Sequence, residues 1–376
     1  MSKEGRQIYE DLDLKPVINA SGFQTVLGGS RVSEEVQAVM DMSNRYFIDM
    51  ELLLKRTGEM IAEMVGAEAA FVTPGCAAAL ALSTAACMSG SDGEKIERLP
   101  DTTGMKDVFL IQKRQRYHYD RCLSIFGGKL VEVGDEEGTT TAQLETAIDD
   151  QTAAVHYYAP GGDPGVLSPE EVIQVAHANG VPVMVDAASQ IFPLDRIRYW
   201  HDIGMDLVGY GAKYFGSCHS SGILCGRKDL IEAAFLHSFI GYETSPWDSI
   251  GRPLKVDRGE VLAVVTALKA WLEMDHDARL EKYVRKAQVL LTALKEIPHV
   301  KVEWHEESRA LTNGVRVTID EEGLGKTAEE VIEELKAGDP CIWTRGQKDW
   351  VNVAVTNLIE DEETIVAERL REVLTV

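Results

Sequence analysis

The feature that most constrains the fold is a regular alternation of short apolar runs and helical stretches between about residues 68 and 226. This alternation predicts an α/β fold in which helices cover both faces of a mostly parallel, seven-stranded sheet. One predicted helix, Pro169–Asn179, begins after Ser168, a favourable N-cap residue, and ends before Gly180. The polar stretch 89–106 is expected to be a loop. The predicted strands are Ala69–Thr73, Val108–Gln112, Lys129–Val133, Ala153–Tyr158, Val181–Asp186, Asp206–Tyr210 and Gly222–Cys225.

Two chemically distinctive residues follow consecutive predicted strands. An apolar run ends at Asp186, and the next strand leads into a glycine-rich segment, GYGAKYFG, that carries Lys213. In an open parallel sheet both residues lie at the carboxyl edge, where ligands bind. A carboxylate that keeps a pyridine nitrogen protonated and a lysine that forms a Schiff base are the groups that pyridoxal 5'-phosphate requires. A helix-capping Asp186 and an exposed loop Lys213 are the alternatives, but they do not explain the pair.

A third element lies upstream, where Thr73–Leu80 (TPGCAAAL) follows a strand and opens an alanine-rich helix. Backbone N–H groups at such a helix start, reinforced by the helix dipole, form an anion site. Gly75 allows the backbone to approach a phosphate closely. Many α/β proteins turn in this way without a ligand, so this signal gains its meaning from Asp186 and Lys213.

Composition narrows the class of protein. The formal net charge of −23 counts against a nucleic-acid partner, because phosphate backbones are bound through clustered Lys and Arg. No apolar stretch is long enough to span a membrane, and the first residues lack an apolar signal core, so a cytoplasmic location is expected. The nine histidines show no HExxH or paired spacing, so no metal site is predicted. Six scattered cysteines without a CxxC pair suit reduced thiols: Cys76, Cys87, Cys122, Cys218, Cys225 and Cys341.

The chain is long enough for two domains. Residues 260–296 are helix-rich, and from Val300 onward short strands alternate with helices near Ala328–Lys336 and Thr364–Val373. We therefore predict an N-terminal segment (1–46) that packs with a small domain and the active site, a large cofactor-binding domain (47–255), and a small C-terminal α/β domain (256–376).

Several segments together resemble fold-type I pyridoxal-phosphate enzymes, which share the aspartate aminotransferase-like fold. Within that fold they resemble the group that contains bacterial selenocysteine synthase and D-glucosaminate-6-phosphate ammonia-lyase. The segments span most of the chain and, taken jointly, are specific for the group. They are Lys15–Gly22, Leu27–Ser30, Val181–Gln190, Ser220–Ile231, Ile250–Val256 and Trp343–Arg345.

The resemblance implies roles in cofactor binding. Lys213 is the lysine that carries the cofactor, and Asp186 is the partner of the pyridinium nitrogen. Ala188 lies near the ring face, and the cofactor phosphate is held by Gly75, Cys76 and Ala77. His118 is a candidate for stacking on the other face of the ring, with a surface histidine as the equal alternative.

The resemblance also implies substrate-binding residues. Arg345 is the candidate for the substrate carboxylate, because a guanidinium fork matches a carboxylate in bidentate fashion, and a surface arginine is its alternative. Ser21 belongs to the same predicted site. Arg252 and Lys255 reach an active site across a subunit interface if the chain forms the group's homodimer or higher homo-oligomer with shared sites; otherwise they are solvated charges.

The sequence departs from the ammonia-lyase pattern just around Lys213. Tyr210 stands where those enzymes have serine, Gly216 where they have arginine, and Ser217–His219 where they have Gly-Pro-Gln. Those positions are expected to border the cofactor and substrate. The departures therefore bear on the substrate and leave the cofactor prediction intact.

The resemblance implies a carbon–nitrogen lyase that acts on a small-molecule amino acid. Lys213 removes the Cα proton, a β-hydroxyl leaves, and hydrolysis gives a 2-oxo acid and ammonia, as with a 2-amino-3-hydroxy acid such as D-glucosaminate 6-phosphate. Racemisation, transamination and β-substitution share the first proton abstraction and stay open. Selenocysteine synthesis is disfavoured by charge and because the Pro16–Gly22 motif begins almost at once, without the synthases' RNA-binding domain. A non-catalytic homologue is disfavoured by the presence of Lys213 and Asp186.

Overall fold

The computed structural model describes residues 3–307, 312–359 and 361–375. The chain divides into two compact units, a smaller one formed by Met1–Gly29 with Met274–Val376 and a larger one formed by Ser30–Glu273. This division does not test the domain boundaries predicted from the sequence. Those boundaries stay a prediction: 1–46, 47–255 and 256–376. Among the described residues, no helix is long and apolar enough to cross a membrane.

The elements alternate through the larger unit as the sequence pattern predicts. The strands are β1 Val17–Asn19, β2 Ala69–Thr73, β3 Val108–Gln112, β4 Lys129–Val133, β5 Thr152–Tyr158, β6 Val183–Asp186, β7 Leu207–Gly211, β8 Gly222–Gly226, β9 Val300–Glu307, β10 Thr312–Ile319, β11 Cys341–Trp343, β12 Arg345–Gln347 and β13 Trp350–Ala354. The helices are α1 Lys3–Glu10, α2 Glu34–Ser43, α3 Met50–Val65, α4 Cys76–Ser89, α5 Gly93–Arg98, α6 Thr141–Ala147, α7 Pro169–Ala178, α8 Asp195–Asp202, α9 Lys228–Leu236, α10 Phe239–Thr244, α11 Arg258–Glu273, α12 His276–Leu294, α13 Glu321–Leu324, α14 Ala328–Ala337 and α15 Glu362–Leu374.

A seven-stranded sheet forms the centre of the larger unit, in the order β2-β8-β7-β6-β5-β3-β4. Strand β8 runs antiparallel to both of its neighbours, and the other pairs are parallel. Six strands therefore share one direction, and their carboxyl ends meet at one edge of the sheet. This confirms the predicted α/β class and the mostly parallel seven-stranded sheet.

Local sequence explains where the elements begin and end. Every residue of β6 is buried, as expected for a parallel strand covered on both faces. Helix α7 begins with a capping box in which the Ser168 side chain accepts from the Glu171 backbone and the Glu171 side chain accepts in return. It ends before Gly180, whose φ of 68° lies in the left-handed region that glycine tolerates. The predicted start of α7 is thus confirmed.

The expectation that residues 89–106 form only loop is wrong. Helix α5 occupies part of this stretch, because the Asp92 carboxylate accepts from the backbone N–H groups of Glu94 and Lys95. Ile96 is fully buried, so one apolar residue in a polar segment fixes the helix against the protein.

The smaller unit contains a four-stranded antiparallel sheet in the order β12-β13-β10-β9. Strand β1, from the N-terminal segment, pairs in parallel with β11. Helices α12 and α15 contribute buried apolar residues such as Leu290 and Leu370 to the core against this sheet. A smaller α/β body with helices at 328–337 and 362–374 matches the expectation for this region.

Candidate active site

Asp186, Lys213 and Gly75 all lie at the carboxyl edge of the larger unit's sheet. Strand β6 ends at Asp186, and β7 leads into a 3₁₀ turn, Ala212–Phe215, that contains Lys213. Strand β2 ends just before Gly75 and the start of α4. Because β2, β6 and β7 run in the same direction, all three ends lie at one edge. The fold therefore brings together the three elements that the sequence singled out.

Asp186 is a buried carboxylate held by neutral donors. Only 6% of the residue is exposed. Its Oδ1 accepts from the Ala188 backbone N–H at 3.1 Å and from the Cys76 thiol at 3.5 Å, and its Oδ2 accepts from the Tyr117 hydroxyl at 2.7 Å. Burial raises the pKa of Asp186, against the lowering effect of these donors. A protonated ring nitrogen beside this carboxylate would supply a positive charge and favour the ionised form.

Lys213 is a half-buried amine with altered basicity. Its Nζ lies 5.2 Å from the centroid of the Tyr214 ring. Burial lowers the pKa of Lys213, and the neighbouring Cys76 acts in the opposite direction. A lysine with a lowered pKa holds more neutral amine near neutral pH, and the neutral amine is the form that condenses with an aldehyde.

The start of α4 forms a cradle of backbone N–H groups. Gly75 caps the helix with a φ of 87°, a conformation that favours glycine. Strand β8 closely approaches this turn, since a Cβ added to Gly222 would lie 2.5 Å from Gly75 C and 2.7 Å from Cys76 N. Cys76 is half-buried, and Ala77 is exposed. A helix start with free N–H groups and a favourable dipole suits a phosphate.

Replacement of Gly222 by alanine is expected to weaken binding of pyridoxal phosphate by roughly 10- to 100-fold, because the new methyl group would displace backbone at the start of α4. Spectrophotometric titration of the cofactor-free protein measures this dissociation constant. Gly338→Ala is the matched control, since the nearest atom to its added Cβ is the end of the flexible Arg369 side chain at 3.0 Å. An unchanged dissociation constant in Gly222→Ala would remove the α4 start from the cofactor site.

Tyr117 and His156 also belong to this site, although the sequence pattern does not predict them. The Tyr117 hydroxyl lies 3.1 Å from His156 Nε2 as well as contacting Asp186, and its ring stacks on Tyr158 with centroids 4.0 Å apart. His156 lies in β5 and is fully buried. A signal was available, because Tyr117 follows β3, whose carboxyl end lies at the same edge as that of β6.

The predicted stacking residue, His118, directly follows Tyr117. It is exposed in a turn, where its ring makes an edge contact with Tyr119 at 5.2 Å. The adjacent Tyr117 is the residue that reaches Asp186. The stacking role of His118 stays a prediction, whereas Ala188 is in contact with Asp186 through its backbone.

Two predicted substrate residues share a small pocket in the smaller unit. Arg345 and Ser21 line it together with His305 and Asn352. The Arg345 side chain is 44% exposed, and its Nη1 lies 3.6 Å from Glu307 Oε2. Ser21 is buried, and its hydroxyl donates to Asn19 Oδ1 at 3.0 Å.

In the larger unit, Arg252 forms an ion pair with Glu243 at 2.7 Å, and its guanidinium lies 6.0 Å from the Tyr242 ring centroid. Lys255 is exposed. The structure describes one chain, so the predicted reach of these two cations across an interface remains a prediction.

Of the departures around Lys213, Tyr210 and His219 have informative surroundings. The expectation that Tyr210 borders the cofactor is wrong, because its side chain is buried and its hydroxyl donates to the Ile197 carbonyl at 2.8 Å. Side chains alternate along a strand, and Gly209 is the β7 residue in register with Asp186, so Tyr210 points to the opposite face. Burial and the positive charge of Lys213 both lower the pKa of His219, so this departure bears on the electrostatics around Lys213.

The residues at this edge fit pyridoxal phosphate. A helix start suits the phosphate, a buried carboxylate suits a protonated ring nitrogen, and a lysine with a lowered pKa suits the aldehyde. Among the described residues, no group of three or more His, Cys, Asp and Glu side chains is arranged to hold a metal ion.

Comparisons with known proteins agree with this assignment. Residues 128–342 match the family model for aminotransferase class-V. The chain is 30% identical to 5'-C-glycyluridine monooxygenase-decarboxylase of a Streptomyces species, over 97% of this chain and 92% of that protein. It is also 30% identical to D-glucosaminate-6-phosphate ammonia lyase of Salmonella typhimurium, over 97% of each chain. L-seryl-tRNA(Sec) selenium transferase of Alkaliphilus metalliredigens is 24% identical over 93% of this chain and 70% of its own length.

The structural comparison points to the same group. A solved structure of D-glucosaminate-6-phosphate ammonia-lyase superposes with a TM-score of 0.84 at 29% identity and covers 98% of each chain. This confirms the predicted fold-type I architecture, the predicted cofactor and the prediction of an ammonia-lyase-like enzyme. The family model covers more than half of the chain, and the relatives at 30% identity extend over nearly all of it. The chain therefore belongs to the aminotransferase class-V family and is a pyridoxal-phosphate-dependent enzyme related to D-glucosaminate-6-phosphate ammonia lyase.

Proposed function

We propose that this enzyme dehydrates and deaminates a 2-amino-3-hydroxy acid to a 2-oxo acid and ammonia. The observation that carries the proposal is the combination of Lys213 and the buried Asp186 at one sheet edge, in a chain that aligns with an ammonia lyase over 97% of its length. D-glucosaminate 6-phosphate is the first substrate to test, because the lyase relative is named for it.

The chain's own residues divide the work. Bound pyridoxal phosphate supplies an electron sink for a bond broken at the substrate Cα. Lys213 Nζ, with its lowered pKa, takes the Cα proton. The Asp186 carboxylate would hold a proton on the ring nitrogen of the bound cofactor. The Tyr117 hydroxyl stabilises the negative charge of Asp186 by donating to it. The C3 hydroxyl then leaves as water with one proton, and water hydrolyses the remaining enamine to the 2-oxo acid and ammonia, without net oxidation.

For the substrate we propose that Arg345 binds the carboxylate and that Ser21 lies beside it. Support comes from their shared pocket and from the guanidinium, which is 44% exposed and so accessible to a ligand. Arg252 is proposed as a further contact with substrate, supplied by a second subunit.

Arg345→Ala is expected to raise the Michaelis constant for the amino acid by about 10- to 100-fold, since a charge-assisted bidentate contact is lost. Arg345→Lys should recover only part of this, because an ammonium lacks the planar fork. Steady-state kinetics measure both, with Arg371→Ala, an exposed arginine in α15, as the control. A Michaelis constant that stays at the wild-type value in Arg345→Ala would exclude this residue from the substrate site.

A second candidate function is an oxygen-dependent decarboxylation, favoured by the relative named as a monooxygenase-decarboxylase, which aligns as well as the lyase does. A screen of D- and L-amino acids and 2-amino-3-hydroxy acids separates the two. The proposed elimination releases ammonia and a 2-oxo acid without oxygen, whereas the alternative consumes oxygen and releases carbon dioxide. Racemisation, transamination and β-substitution would appear in the same screen as inverted, transaminated or substituted products without ammonia.

We further propose a homo-oligomer that shares active sites and resides in the cytoplasm. Consecutive apolar side chains at Tyr46, Phe47 and Ile48 are exposed by 75%, 96% and 54%, which suits a subunit contact. The six free cysteines suit a reducing compartment. Light scattering coupled to size exclusion tests the assembly; a monomer at micromolar concentration would contradict it.

A further inference from the structure

The three side chains Asp186, Tyr117 and His156 form a hydrogen-bonded chain whose two ends, Asp186 and His156, are buried. The distances are 2.7 Å from Tyr117 Oη to Asp186 Oδ2 and 3.1 Å from Tyr117 Oη to His156 Nε2. All three residues belong to the larger unit, on or just after strands β6, β3 and β5.

The direction of each hydrogen bond follows from the number of protons available. An ionised carboxylate can only accept, so the single Tyr117 hydroxyl proton is donated to Asp186. Tyr117 Oη must then accept from His156, which requires the tautomer with a proton on Nε2. Burial lowers the pKa of His156 to about 4, so its ring is neutral and His156 Nδ1 is an acceptor.

The second ring nitrogen does not account for the presence of His156. Its Nδ1 is buried, without a hydrogen-bond partner in the described part of the chain. An apolar side chain would fill the same position without leaving a polar atom unsatisfied. Packing alone therefore does not account for histidine at this position, whereas the bond to Tyr117 does.

We propose that His156 is a positioning residue for the cofactor: by donating from Nε2 to Tyr117, it keeps the phenol proton directed at Asp186 and so keeps that carboxylate ionised against the ring nitrogen. This inference rests on the proposed pairing of Asp186 with the ring. The consequence is a proton that resides on the ring nitrogen rather than on Asp186, which strengthens the ring as an electron sink.

The position of that proton can be measured directly. The holoenzyme is prepared with pyridoxal phosphate labelled with nitrogen-15 in the ring, and the chemical shift reports how far the ring nitrogen is protonated. Tyr117→Phe keeps the stacked ring and removes the donor, so the ratio of ring-protonated to Asp-protonated forms should fall roughly tenfold. His156→Leu should shift the resonance in the same direction, and His156→Gln, which keeps an N–H donor, should restore it toward the wild-type value.

A double variant separates positioning from an independent effect. Because His156 acts through Tyr117, the Tyr117→Phe/His156→Leu protein should show the same shift as Tyr117→Phe alone. Additive shifts, or a His156→Leu resonance identical to wild type, would overturn the inference while leaving the proposed function intact. A wild-type resonance typical of an unprotonated pyridine would overturn both this inference and the proposed role of Asp186.

Discussion

Replacement of Lys213 by alanine is expected to lower turnover by about 10²–10⁴-fold, because the variant loses the base that takes the Cα proton. The amine also holds the cofactor aldehyde, so the variant should no longer retain pyridoxal phosphate through reduction with borohydride. Ammonia release and absorbance after desalting measure the two effects. Lys213 lies in a 3₁₀ turn closed by its own backbone, which predicts that folding survives the change.

Lys269→Ala provides the matched control, since Lys269 is an exposed lysine of α11 in the same unit. It should keep wild-type turnover and cofactor retention. Thermal denaturation of both variants checks that neither loses its fold. Wild-type turnover in the Lys213 variant would contradict the assignment of this residue as the base.

Asp186→Asn is expected to lower turnover by roughly 10²–10³-fold while preserving the fold, because the amide keeps the shape of the carboxylate but loses its charge. The charge matters since it holds a proton on the ring nitrogen. Asp195→Asn, an exposed carboxylate at the start of α8, is the control and should behave as wild type.

The Asp186→Asn substitution should lower turnover without lowering the stability of the cofactor-free protein. Burial raises the pKa of Asp186 in the folded chain above its unfolded value, so the folded state binds this proton more tightly. The free energy of unfolding of the cofactor-free protein therefore falls as pH rises from the unfolded pKa through the raised folded pKa. At pH 8 the cofactor-free Asp186→Asn protein should melt at the wild-type temperature or above it. A lower melting temperature with unaltered turnover would show that Asp186 is structural.

Much of the fold was predictable because apolar runs and the capping or turn residues that end them are local in sequence. The sequence predicts β6 over 181–186, and the strand extends over 183–186. It also predicts the capped start of α7 at the observed residue. The shared edge of Asp186 and Lys213 was also predictable, since parallel strands deliver their carboxyl ends to one side. These inferences need only the sequence and the direction of the chain.

Other features depend on contacts that are distant in sequence. Helix α5 forms in a polar segment because Ile96 finds a buried position that no local pattern reveals. Tyr117 contacts Asp186 although the two are 69 residues apart in sequence, because the path of the chain after β3 places its side chain there. Successive side chains of a strand point to opposite faces, so Tyr210 points away from the site. Its position within the glycine-rich motif around Lys213 does not reveal this.

Reduction of the purified, yellow holoenzyme with borohydride, followed by peptide mass mapping, identifies the lysine that carries the cofactor. We expect the mass of the reduced cofactor on the peptide containing Lys213, at the turn after β7. Recovery of the cofactor on a different lysine, or a protein that binds no pyridoxal phosphate at saturating concentration, would contradict this expectation.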